Sequence, residues 1–153
     1  MGSDQNKGKM PKVKQYTISE VKTYIMIIQN RLSLYRNKKV DSIRKKKKEI
    51  EKSLRENNLD VAKAKMDSII REEDMMTVYD ILSPLCEILK ERVTYIMSSA
   101  ECPPDLRAQL DSIIYASTRV EIQELYVLRD FILSFSNKFT FTNLSALVSA
   151  FCK

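Results

Sequence analysis

The chain has 153 residues, enough for one domain with a core of its own, and carries 26 Lys and Arg against 20 Asp and Glu, a net charge of +6. Histidine is absent, and both glycines, Gly2 and Gly8, lie near the N-terminus, which excludes Ser-His and Cys-His nucleophile pairs, the commonest zinc ligand and any glycine-rich phosphate loop. Carboxylates are plentiful but sit beside Lys and Arg at helical spacing, the pattern of solvated helix faces, so no enzyme, metal or cofactor is expected.

The first residues, "MGSDQNKGKMPKVKQ", are polar and lack the apolar centre of a signal peptide. Residues 1–16 are taken as a flexible basic tail whose "MGS" start has the look of a cloning remnant, and residues 17–153 as a single helical domain. No apolar run approaches the ~18 residues of a membrane span, so the expected compartment is cytosolic or nuclear. Cys86, Cys102 and Cys152 are odd in number and widely spaced, so the expectation is three reduced thiols, at least one of them in the core.

"TISE", Thr17 to Glu20, has the spacing of a capping box and predicts a helix start. Ile18, Val21, Ile25, Ile28, Leu32 and Tyr35 then recur at steps of three and four. The stripe resumes at Ile43, Ile50 and Leu54, with Lys47 lying along it on its aliphatic stem. This first helix is expected to run about 38 residues, roughly 57 Å, to the turn signal Asn57-Asn58. Asp60 is the expected cap of a second helix from about Val61 to Ser98. Its predicted stripe takes Met66, Ile69, Ile70, Met76, Val78, Ile81, Leu82, Leu85, Ile88, Leu89, Val93 and Ile96, with a kink or break near Ile81 because Pro84 removes a hydrogen bond. "ECPPDL" ends it. A short helix follows with Leu106, Leu110, Ile113 and Ile114 on one side, then a fourth from Ser117 to Ser136 using Val120, Ile122, Leu125, Leu128, Phe131 and Ile132. "FTFT" alternates like a strand but has no partner strand, so Thr142 to Phe151 is taken as a final short helix.

Two long helices joined by a few residues must be antiparallel neighbours. The expected fold is therefore all-α, an elongated bundle built on a long antiparallel helical hairpin with shorter helices packed against it. Charge is uneven along the chain: 16 Lys and Arg against 6 Asp and Glu up to Glu56, and 10 against 14 after it. The excess centres on Lys38, Lys39, Arg44, Lys45, Lys46, Lys47, Lys48 and Lys52. Consecutive lysines surround a helix and form no single stripe. A solvated helix end, an anionic membrane surface and an acidic partner all fit; nucleic acid is not expected, since no aromatic residues interleave with the run. In "IIREED", Arg71 either pairs with Asp67 and Asp74 on its own helix, or joins Glu72 in bridging to another helix and fixing the hairpin register.

Several motifs carry a family resemblance. Arg31-Leu32 opens a basic stretch, followed by Lys38-Lys39 and Lys48-Glu49-Ile50. After the turn come the Ile-Ile-Arg-Glu run Ile69 to Glu72, then Ile81-Leu82, Cys86 and Arg92. With "LDSIIYASTRVEIQELYVLRDFI" further on, the chain from Val21 to about Lys138 resembles the N-terminal domain of the increased-sodium-tolerance (Ist) family, relatives of the ESCRT-III, or charged multivesicular body, proteins. Pro84 stands where the family has a helix former. The resemblance implies an ESCRT-III-like core and a non-enzymatic scaffold in endosomal sorting and multivesicular body formation. It implies binding to the C-terminal helix of ESCRT-III subunits through the helical core. It also implies regulation of the vacuolar-protein-sorting AAA ATPase that disassembles them, and peripheral recruitment to endosomal membranes. The family's tail motifs for the ATPase do not follow in this sequence, so contact with the ATPase is expected to be indirect. On that resemblance the basic residues named above are the expected contact to an acidic partner or membrane. A plain helical-bundle adaptor that binds anionic membranes through helix 1, with no ATPase link, is the other reading.

Overall fold

The computed structural model describes residues 15–100 and 102–135. They form four helices and no strand: α1 (Ile18–Arg55), α2 (Leu59–Ser98), α3 (Arg107–Ser117) and α4 (Gln123–Ser134). The tail before residue 15, Cys152 and the helix expected over 142–151 lie outside the described residues.

The capping box closes as its spacing predicts: the Glu20 amide donates to Thr17 Oγ1 at 3.2 Å, and the Thr17 amide donates to Glu20 Oε2 at 2.9 Å. At the other end of α1 the chain reverses in very few residues. The Asn57 amide donates to the Leu54 carbonyl at 3.1 Å and the Asn58 amide to the Ser53 carbonyl at 2.8 Å. These are the two bonds of a Schellman motif. Asn57 takes the left-handed conformation it requires, at φ 57°, which asparagine tolerates better than most residues. Asn58 then caps α2, its side chain accepting from the Val61 amide at 3.4 Å. The cap is thus Asn58 rather than the expected Asp60, because the tight turn leaves no intervening residue and α2 begins at once.

α1 and α2 form the antiparallel hairpin. Its polar rungs run Gln29 to Glu87, Arg36 to Asp80, Lys46 to Glu72 and Glu49 to Lys65, so advance along α1 meets retreat along α2. The buried residues of α2 over its second half are Tyr79, Leu82, Cys86, Leu89, Val93 and Ile96. Their steps alternate between three and four, the 3.5 period of helices that stay in contact along their length. This seam corrects the one expected from sequence. Met66, Ile70, Val78, Ile81 and Ile88 are exposed, as are Ile18 and Leu54 of α1, and Ser53 is buried beside the position expected for Leu54. At about 100° per residue, Ile81 and Ile88 lie nearly opposite Tyr79 and Cys86, so they cannot share a seam with them.

The main core lies at the open end of the hairpin, where α3 and α4 close over α1 and α2. Phe131 of α4 meets Tyr16 and Phe135 edge-on, with ring centroids 5.6 and 5.1 Å apart. Cys86 is fully buried here, and burial pushes its thiol up to about 12, which marks it as inert packing. A smaller core of Ile43, Ile50, Ala62 and Ile69 sits toward the turn. The fourth helix starts at Gln123, not Ser117 as expected. Val120 and Ile122 are both buried although two residues apart, which an extended segment allows and a helix does not; Ile122 accordingly has φ −121° and ψ 112°.

α2 runs through Pro84 with no break at Ile81. Pro84 is exposed and its missing N–H leaves the Asp80 carbonyl to water on the outer face. Replacing Pro84 with Ala restores that bond and is expected to raise stability by about 1–3 kcal/mol, read as an increase in melting temperature.

Candidate binding surfaces

The basic run of α1 is divided by the helix into distinct roles. Lys46 turns inward: its ammonium donates to Glu72 Oε1 at 2.8 Å and to Ser68 Oγ at 2.6 Å. Lys39 stands 3.8 Å from the same carboxylate and the Ser42 hydroxyl donates to it at 3.1 Å. This polar layer interrupts the apolar seam between the two cores. The Glu72 side chain is only 13% exposed. Burial by itself raises its carboxyl, but hydrogen bonds from Lys46 and Ser42 and the charges of Lys46 and Lys39 outweigh that and hold it below the usual range.

Arg44, Lys45, Lys48 and Lys52 are all exposed and, at about 100° per residue, share one outward sector opposite Ile43, Lys46 and Ile50. Arg44 lies 3.7 Å from Asp41 and Lys52 3.8 Å from Glu56, pairs that water screens almost completely. Lys47 is exposed at the opposite edge of the hairpin, beside Glu73 and Met76. Lys38 lies over the Tyr35 ring, 5.8 Å from its centroid. Arg71 is exposed, and among the described residues no ion pair joins it to Asp67, to Asp74 or to another helix.

Grooves between the later helices and the hairpin are expected from the family resemblance, but the residues that line the two concave surfaces found were not legible in the sequence. An apolar groove of about 640 Å³ runs between α2 and α3, walled by Val78, Ile81, Leu85, Ala108 and Tyr115. Asp111 stands in its wall, its carboxyl raised by burial despite the opposing charge of Arg107. A polar cleft of about 600 Å³ lies where the α3–α4 connection crosses the hairpin. Ile70, Ile81, Ile88 and Tyr95 fall on one side of α2, away from the seam, and of these Ile81 lines the groove. The cleft had no local signal, because its walls come from three elements remote in sequence.

Among the described residues no helix is long and apolar enough to cross a membrane, and no group of three or more Cys, Asp or Glu is placed to hold a metal ion. A long antiparallel helical hairpin with shorter helices closed over one end defines an all-α bundle of the ESCRT-III-like class.

The chain belongs to the Ist1 family. The family model described as "Regulator of Vps4 activity in the MVB pathway" matches residues 22–148. An IST1-like protein of Dictyostelium discoideum is 28% identical over 110 residues, which is 72% of this chain and 30% of that relative. The matched region thus spans under a third of the curated relative's length. The family is a regulatory one in multivesicular body formation.

Proposed function

We propose that this chain is a non-enzymatic scaffold of the ESCRT-III circuit. Its helical core docks the C-terminal helix of an ESCRT-III subunit and so modulates, indirectly, the AAA ATPase that disassembles those subunits. It works in the cytoplasm, recruited peripherally to endosomal membranes. The observation that carries the reading is the α2–α3 groove, where Val78, Ile81, Leu85 and Tyr115 leave apolar surface open to solvent in a protein of this family. Such grooves take the apolar face of an amphipathic helix, and Asp111 in the wall supplies a carboxylate for a basic residue on it. Calorimetric titration with the C-terminal helical peptide of a charged multivesicular body protein is expected to give micromolar affinity. Ile81→Asp is expected to weaken it by about tenfold or more while leaving stability within about 0.5 kcal/mol, because Ile81 is exposed. Unchanged affinity in that variant removes the groove from the reading.

The second reading is an adaptor that binds anionic membranes through α1 with no ATPase link. The outward sector of Arg44, Lys45, Lys48 and Lys52 supports it. Pelleting with anionic vesicles in the absence of any partner, lost as salt rises, favours the adaptor; recruitment that requires an ESCRT-III subunit favours the scaffold.

A further inference from the structure

The tip half of the hairpin has two unlike sides. On one, Ser42, Lys46, Ser68 and Glu72 form the polar layer. On the other, Val40, Lys47, Glu73 and Met76 line a shallow depression. Residues seven apart lie almost on one line along a helix, drifting only about 20°. The line through Lys47 therefore runs from Val40 to Leu54 on α1. The line through Glu73 runs back through Met66 to Leu59 on α2, with Ile70 one turn before Glu73. Leu54, Leu59, Met66 and Ile70 are 51%, 54%, 48% and 50% exposed, so four large apolar side chains stand half open to water on one face. α3 and α4 close over the other end of the hairpin and leave this face bare.

The charges on the face choose its occupant. Lys47 and Glu73 are both exposed, and neither has an ion-pair partner among the described residues. A membrane, or any partner of a single sign, would satisfy one of them and be repelled by the other. A second copy satisfies both. A two-fold axis along the hairpin lays α1 of each copy over α2 of the other with the tips together, and such an interface makes every contact twice. Lys47 and Glu73 each adjoin the Lys46–Glu72 rung, so they are level along the hairpin, and this symmetry sets Lys47 of one copy against Glu73 of the other. The Glu49–Lys65 rung places Leu54 level with the stretch between Leu59 and Met66, so apolar side chains meet apolar ones. The face is about 21 Å long from Val40 to Leu54 and roughly 20 Å wide across two helices. Two such faces bury on the order of 1,000 Å², the lower limit of a specific interface.

We propose that the chain forms a two-fold dimer through this face of the hairpin tip, held by Leu54, Leu59, Met66 and Ile70 and set in register by Lys47 against Glu73 of the second copy. Apolar burial supplies the affinity; the exposed charge pairs supply little of it and instead disfavour other registers. The inference is independent of helix docking, which uses the α2–α3 groove.

The test is sedimentation equilibrium of the full chain from about 1 μM to about 1 mM, at about 0.15 M salt. A reversible monomer–dimer equilibrium is expected. Met66→Glu is expected to weaken it by about tenfold or more, and Leu34→Glu, equally exposed but on another side of α1, by less than about twofold. Lys47→Glu is expected to weaken it by about threefold or more, and adding Glu73→Lys to that variant to restore it to within about twofold. Unchanged far-UV circular dichroism establishes that the variants fold. A monomer at every concentration, equal weakening by Met66→Glu and Leu34→Glu, or a charge-swapped variant no tighter than Lys47→Glu alone would overturn the proposal. A chain that stays monomeric and pellets with phosphatidylserine vesicles unless Met66 is replaced gives the face to lipid and overturns it as well.

Discussion

Phe131→Ala is expected to lower stability by about 3–5 kcal/mol, the largest effect of any single substitution considered for this chain. Phe131 is 1% exposed and sits where α4 closes the open end of the hairpin. Truncation removes the ring's own transfer free energy and leaves a cavity between Tyr16 and Phe135, which both lose an edge-on partner. Collapse into that space is resisted by a core whose other members, among them Leu125, Leu128 and Ile25, are themselves fully buried. The consequence reaches the groove. α3 packs on both α2 and α4, so loosening α4 frees the wall that carries Ala108 and Tyr115. Denaturant unfolding is expected to show the loss in stability, and calorimetry is expected to show weaker capture of a partner helix in the same variant. A loss below about 1 kcal/mol would mean that α4 does not clamp the hairpin.

The second large effect is at the polar layer. Glu72→Ala is expected to cost about 2–3 kcal/mol, because it leaves Lys46, with a side chain 25% exposed, without its carboxylate. Arg71→Ala is expected to change stability by less than about 0.5 kcal/mol, since Arg71 is exposed. The pair therefore tests which of the two residues holds the hairpin in register. The pH dependence has a definite sign. The folded state holds the Glu72 carboxyl below its ordinary value of 4.5, so its stabilisation is complete at neutral pH, persists down to that value, and is lost as pH falls further through the depressed one. The stability gap between the wild type and Glu72→Gln is expected to be widest at pH 7 and to narrow only below about 4.5. Equal stability of the Ala and wild-type proteins at pH 7 would show that the layer is held by the flanking apolar cores alone.

Much of the fold was legible because the signals were local. The capping box needs only Thr17 and Glu20, and the turn needs only two asparagines, although the cap of α2 falls to Asn58 and not to Asp60. Both long helices were bounded to within two residues at each end, and the scarcity of glycine and proline made long helices the only economical solution. The hairpin follows from two long helices with apolar residues to bury and a short connection. The four apolar residues expected to line α3 are all buried. The family signature was also sequential, carried by runs such as Ile69 to Glu72.

What failed was the assignment of faces. α2 carries more apolar residues than one seam can hold, and composition does not say which of them the partner helix will cover. The seam is chosen by contact with α1 at a 3.5-residue period. That period buries Tyr79 and Cys86 in preference to the more hydrophobic Ile81 and Ile88, leaving the latter outside the hairpin and Ile81 in the wall of the α2–α3 groove. Val120 and Ile122 read as helical on periodicity, but the core on both sides of the connection pulls both inward and only an extended backbone allows it. The basic run shows the same division. The sequence established a cationic α1; only the packed hairpin sends Lys46 inward to Glu72, sets Lys38 over Tyr35 at the cleft, and turns Arg44, Lys45, Lys48 and Lys52 outward. Helix type, ends and chain reversal depend on neighbours within a few residues and so are fixed by sequence. Which side chain is buried, paired or left open depends on angles between helices tens of residues apart, and those exist only once the hairpin has closed.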